Sequence, residues 1–108
     1  MKIFTDENGF DSKGRKRIRE SGQDLTIFRK DRNMFACSSQ CPHKGGPLFL
    51  GKLLENGLMC PSHHIIFNTD TGKVVENPIP ASMGDYRETG DLKIFKIETD
   101  EKGIKIEI

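Results

Sequence analysis

The sequence predicts an all-β fold. Three observations carry that prediction: β-branched and aromatic residues recur in short runs between turn signals, helical periodicity is weak throughout, and Ile104-Lys105-Ile106-Glu107-Ile108 alternates apolar and charged side chains at the period of a half-buried strand. Taken in order, residues 25–28 and 34–37 flank the turn Lys30-Asp31-Arg32-Asn33 as one hairpin. Glu55-Asn56-Gly57 marks a second, and Asn68-Thr69-Asp70-Thr71-Gly72 is a turn between residues 65–67 and 74–75. Residues 92–98 and 104–108 form the last hairpin around Thr99-Asp100-Glu101-Lys102-Gly103. Residues 41–47 and 77–90, the latter holding Pro78 and Pro80, read as irregular loops. The two ends should therefore build a base, residues 1–36 and 81–108, that carries an inserted subdomain of roughly residues 37–80, all within one domain spanning residues 1–108.

At 108 residues with 34% hydrophobic content and no Trp, the chain has room for a modest core and none for a second catalytic domain. Its 17 Lys and Arg against 16 Asp and Glu leave a net charge of +1, which offers no general attraction for nucleic acid or an anionic membrane. The locally basic residues 13–19 are interrupted by Ile18 and followed by Glu20, as expected of a solvated strand face. No uncharged apolar run approaches the ~18 residues of a membrane span. Three cysteines, two of them in a metal-ligand pattern, fit a reducing cytoplasm better than a secreted disulfide framework.

The chemistry concentrates in two short segments. Cys41-Pro42-His43 reads C-x-H, Cys60-Pro61-Ser62-His63 reads C-x-x-H, and sixteen residues separate His43 from Cys60. Two thiolates and two imidazoles suit either zinc or an iron–sulfur cluster. Structural zinc pairs are usually spaced by two to four residues, so a thiolate and an imidazole on one tight C-x-H loop fit a dinuclear centre better. In such a centre each loop gives its Cys to the inner iron and its His to the outer one. Lys44-Gly45-Gly46-Pro47 follows the first pair, and its glycines permit backbone N–H groups to approach cluster sulfur.

Cys41-Pro42-His43-Lys44-Gly45-Gly46-Pro47-Leu48 and Cys60-Pro61-Ser62-His63, followed by Phe67 and Thr71-Gly72, closely resemble the Rieske ferredoxin pattern, nearest to its low-potential soluble prokaryotic and archaeal members. The resemblance implies a Rieske fold of three antiparallel sheets, a [2Fe–2S] cluster as cofactor, and Cys41, His43, Cys60 and His63 as its ligands. It also implies that a Pro-containing segment, here residues 77–80, covers the cluster from a third side. Respiratory members carry a disulfide between the loops, but Gly46 and Ser62 stand at those positions here. Such members also place a Ser and a Tyr as hydrogen-bond donors to sulfur, where this chain has His64-Ile65-Ile66-Phe67. Fewer donors imply a potential in the lower part of the family's span of roughly −150 to +300 mV. His64 replaces a usual Gly and reads as a surface histidine, and Cys37 as a buried apolar residue.

The function this implies is one-electron transfer by a soluble, monomeric, cytoplasmic carrier that is not itself an enzyme. Its partners would be a reductase and a terminal acceptor or oxygenase. The chain could equally serve as the ferredoxin component or small subunit of a multicomponent oxygenase or other oxidoreductase. A zinc-binding interaction module and an autonomous enzyme are the alternatives from other classes. No Ser-His-Asp set or phosphate loop accompanies the cysteine–histidine motifs. The imidazole edges of His43 and His63 are expected to mark the electron exit, with a small docking contact around residues 44–47 and 61–64.

Overall fold

A computed structural model describes residues 1–31 and 33–108. Ten antiparallel strands follow the chain: β1 Lys2–Thr5, β2 Arg15–Glu20, β3 Gln23–Lys30, β4 Asn33–Ser38, β5 Lys52–Leu54, β6 Gly57–Met59, β7 Ile66–Phe67, β8 Val74–Glu76, β9 Ile94–Asp100 and β10 Gly103–Glu107. The ladders β1-β10-β9 and β9-β4-β3-β2 share β9 and join into six strands, while β5-β6-β7-β8 stand apart. The three expected sheets are present in this form. Short 3₁₀ segments at Leu48–Leu50 and Ala81–Arg87 interrupt the loops.

The expected hairpins hold with small shifts of boundary. Asp100 pairs with Gly103, so the last turn tightens to Glu101-Lys102, and its strand starts at Ile94 rather than Leu92. Lys30 pairs with Asn33. Arg32, in that turn, lies outside the described residues. Strand β1 has a single buried side chain, Ile3, and is defined by its pairing with β10 from the other end of the chain. The basic run becomes β2, whose buried residue is Ile18.

Alternation along the central strands places two cores on opposite faces of the base. Leu25, Ile27 and Ala36 pack with Ile3, Ile18, Phe95, Ile104 and Ile106. The neighbours Phe28 and Cys37 point the other way, joining Cys41, Cys60, Leu48, Leu58, Ile65, Phe67, Ile79 and Leu92. Strand β3 is consequently buried on both faces from Leu25 to Phe28, and it is the floor on which the cysteine loops rest. Burial pushes the Cys37 thiol up to about 12, as expected of an inert core cysteine.

Three contacts fix the loops to the base. Thr26 Oγ1 and Ser39 Oγ share a buried hydrogen bond of 2.8 Å. Arg17 Nε and Nη2 donate to the two oxygens of Asp24 at 2.9 and 2.7 Å, and the same guanidinium lies 3.8 Å over the Phe49 ring. On the far side, Leu92 N donates to Gly72 O at 2.7 Å. Gly72 has φ +78°, and a Cβ there would stand 1.9 Å from Leu92 O.

Gly72→Ala should therefore combine left-handed strain with backbone overlap and cost about 3 kcal/mol, lowering Tm by on the order of 10 °C in a thermal melt. An unchanged Tm would show that this turn is not docked on Leu92. The Arg17 hydrogen bonds hold the Asp24 carboxyl below its usual value, with smaller help from Ser39. A depressed folded-state pKa gives stability that is present above the unfolded value and lost as pH falls through the folded one. Asp24→Asn should flatten the acid limb of Tm against pH while leaving the alkaline limb unchanged; parallel acid limbs would contradict the linkage.

Candidate metal centre

Both cysteine loops are built on one backbone plan. In the first, Cys41 N donates to Gly46 O at 2.9 Å and Gly45 N donates to Cys41 O at 2.8 Å. In the second, Cys60 N donates to Ile65 O and His64 N donates to Cys60 O, each at 2.9 Å. The fourth residue after each cysteine turns left-handed, Gly45 at φ +71° and His64 at φ 62°. His64 thus occupies a conformation that favours glycine, which explains why Gly is usual there in the resembling family. It is exposed.

That plan aims main-chain N–H groups at sulfur. The second and third N–H groups after each cysteine, those of His43 and Lys44 for Cys41 and of Ser62 and His63 for Cys60, favour the thiolate form of that cysteine. The Ser62 side chain adds a smaller effect of the same sign on Cys60. Sequence reasoning placed Ser62 only as the residue that precludes a disulfide and expected few donors to sulfur. That expectation concerned residues 64–67, and the Ser62 hydroxyl is a candidate donor outside them. Gly46 makes the closure possible: a Cβ there would lie 2.6 Å from Ser62 Oγ and 3.5 Å from Cys60 Sγ.

Cys41 and Cys60 are both buried and free of disulfides, and each thiol affects the ionisation of the other. The neighbouring sulfur raises the Cys41 thiol, with burial adding to it, and lowers the Cys60 thiol, helped by nearby main-chain N–H groups. Metal binds the thiolate, the form that nearby main-chain N–H groups favour.

The histidines meet on the other side of the site. Their rings lie 4.8 Å apart at 77°, and Tyr86 stands edge-on to both, 5.4 Å from His43 and 5.2 Å from His63. His43 Nε2 donates to the Tyr86 main-chain carbonyl. A carbonyl only accepts, so Nε2 carries the proton and neutral His43 keeps a bare lone pair on Nδ1. That Nδ1 is buried without any partner. A buried, unsatisfied imidazole lone pair is costly unless a metal takes it, so the donor set fits an iron-containing group.

The four sequence-predicted residues therefore come together, as a thiol pair and an imidazole pair. Among the described residues no three His, Cys, Asp or Glu groups converge on a single-ion position. Ile79, in the segment expected to form a third side, packs in the same core as Cys41 and Cys60. The two imidazole edges, expected to mark the electron exit, differ in access, with His63 partly exposed and His43 buried. His43 is 6% exposed, and Tyr86 of the 3₁₀ segment Ala81–Arg87 covers both outer nitrogens. Nothing local in the sequence marks Tyr86, which lies 43 residues from His43.

Comparison with known proteins agrees with this picture. The Rieske [2Fe-2S] domain model matches residues 4–96. The oxygenase component of chloroacetanilide N-alkylformylase from Rhizorhabdus wittichii is 38% identical over 58 residues, 53% of this chain and 16% of that protein. Apoptosis-inducing factor 3 of Mus musculus is 36% identical over 95 residues, 87% of this chain and 16% of its own length. This chain therefore spans only about a sixth of the length of these two curated relatives. Among solved structures, the complex of reduced oxygenase and oxidized ferredoxin in carbazole 1,9a-dioxygenase contains a chain with TM-score 0.74 at 22% identity, covering 99% of this chain and 100% of that one. The ferredoxin of carbazole 1,9a-dioxygenase from Nocardioides aromaticivorans gives TM-score 0.73 at 16% identity, covering 95% and 92%. At these identities the likeness is one of fold. With a match across residues 4–96 and two cysteine–histidine loops at its centre, the chain belongs to the Rieske [2Fe-2S] domain family, whose cofactor is a [2Fe–2S] cluster.

Proposed function

We propose that this chain is a one-electron carrier in which Cys41 and Cys60 hold one iron of the cluster and His43 and His63 hold the other. The observation that carries the reading is the orphaned, buried Nδ1 of His43 beside a second imidazole and a buried thiol pair. When bound, the cluster supplies the reversible uptake of a single electron. The chain's own residues supply the rest. Phe28, Leu48, Leu58, Ile65 and Phe67 keep water from the sulfur side, and the main-chain N–H groups and the Ser62 hydroxyl stabilise the added negative charge. The C-x-H spacing of the first loop supports a dinuclear centre over a single zinc ion.

In this reading residues 37–80 are the cluster-binding subdomain and residues 1–36 and 81–108 the base. The protein acts as a monomer in the cytoplasm, between a reductase and a terminal acceptor. Several relatives are oxygenase components, which supports an oxygenase as that acceptor. No helix among the described residues is long and apolar enough to cross a membrane.

Protein reconstituted with iron and sulfide should be red-brown, release acid-labile sulfide and give an EPR signal when reduced, and Cys41→Ala and Cys60→Ala should each abolish all three. Colourless wild-type protein without labile sulfide would end the reading. Ser62→Ala removes a donor that favours the reduced state. The midpoint potential should fall by on the order of tens of millivolts in a spectroelectrochemical titration, and an unchanged or raised value would contradict the assigned hydrogen bond.

A further inference from the structure

Every side chain from Ala81 to Arg87 is exposed, yet the segment is held in place at both ends. Asn77 Nδ2 donates to Arg87 O at 2.8 Å, Arg87 Nε donates to Ile79 O at 2.8 Å, and Ile79 itself is anchored in the core beside the cysteines. Gly84, at φ 57°, reverses the chain within the loop. These contacts close residues 77–87 into a strap whose last turn sets Tyr86 across the imidazole pair. The Tyr86 carbonyl accepts from His43 Nε2, and its hydroxyl lies 2.5 Å from His63 Nε2. Lys44 Nζ sits 5.4 Å from the centre of the same ring.

A histidine that ligates metal through one ring nitrogen is oriented, and made more electron-donating, by whatever accepts the proton on its other nitrogen. In this chain a single residue fills that role for both histidines. We infer that Tyr86 is the positioning residue of the centre: its main-chain carbonyl and its hydroxyl accept the two Nε2 protons, leave both Nδ1 atoms as the donors to iron, and set its ring against both imidazoles while His63 stays partly exposed. This rests on the ligand set proposed above. Both interactions push electron density toward the histidine-bound iron and so favour the oxidised cluster. Loss of either should raise the midpoint potential, opposite in sign to loss of the Ser62 hydroxyl.

The test compares reconstituted wild-type, Tyr86→Phe and Tyr86→Ala proteins. Phe keeps the ring and the carbonyl and loses only the hydroxyl acceptor, so folding and strap packing should survive. With the electrode held at the wild-type midpoint, the reduced-to-oxidised ratio should rise about threefold to tenfold in Tyr86→Phe, up to ~59 mV for a one-electron couple. In Tyr86→Ala the ring shield is lost as well, and bleaching of the cluster by an iron chelator should accelerate by about tenfold or more. A Tyr86→Phe ratio equal to or below that of wild type overturns the inference, whatever the chelator shows, because a purely structural role would change cluster lifetime and leave the potential alone. Failure of the underlying ligand reading is seen separately, as wild-type protein that takes up no cluster.

Discussion

Two backbone loops of the same design, closed against each other through Gly46, govern everything else in this molecule. Each turns back on its cysteine through a hydrogen bond from the fourth following N–H and aims the second and third N–H groups at the sulfur. The sulfurs are buried while the loop tips reach solvent, so relaxation of either loop would strip buried cysteine of its neighbouring N–H groups. Within this shared plan the histidine stands two residues after its cysteine in one loop and three in the other. The left-handed position is filled by Gly45 in the first loop and by His64 in the second.

The base serves this geometry. Strand β3 divides its burial between two cores, and Phe28 and Cys37 carry the rigidity of the six-stranded sheet into the floor under the cysteines. Two attachment points then fix the loops from either side, the Arg17, Asp24 and Phe49 group near the first loop and the Gly72–Leu92 hydrogen bond beyond the second. The arrangement suits electron transfer, because a site held on both flanks reorganises little when its charge changes.

Local signals made much of this legible. The hairpins after residue 23 could be read because strand runs and Asn, Asp and Gly turns coincide, and the site because Cys-x-His and Cys-x-x-His bring donors together within a few residues of chain. Strand β1 left little trace, since one buried Ile3 gives no period and its order comes from pairing with β10 at the opposite end. Tyr86 was hidden for the same reason on a larger scale. Its two partners are 43 and 23 residues away, and only the Asn77–Arg87 closure of the strap brings it to them. Ser62 was visible in the motif, but its place at the seam of the two loops shows only in the close approach of Gly46 to its hydroxyl.

Nitrogen hyperfine spectroscopy of the reduced, reconstituted protein tests the central claim most directly, since it reports which atoms bind the iron that carries the added electron. Two strongly coupled imidazole nitrogens are predicted, which selective isotope labelling of histidine identifies as histidine and which persist when His64 is replaced, leaving His43 and His63 as their source. A spectrum without strong nitrogen coupling, or one that loses a coupled nitrogen when His64 is replaced, would contradict this assignment.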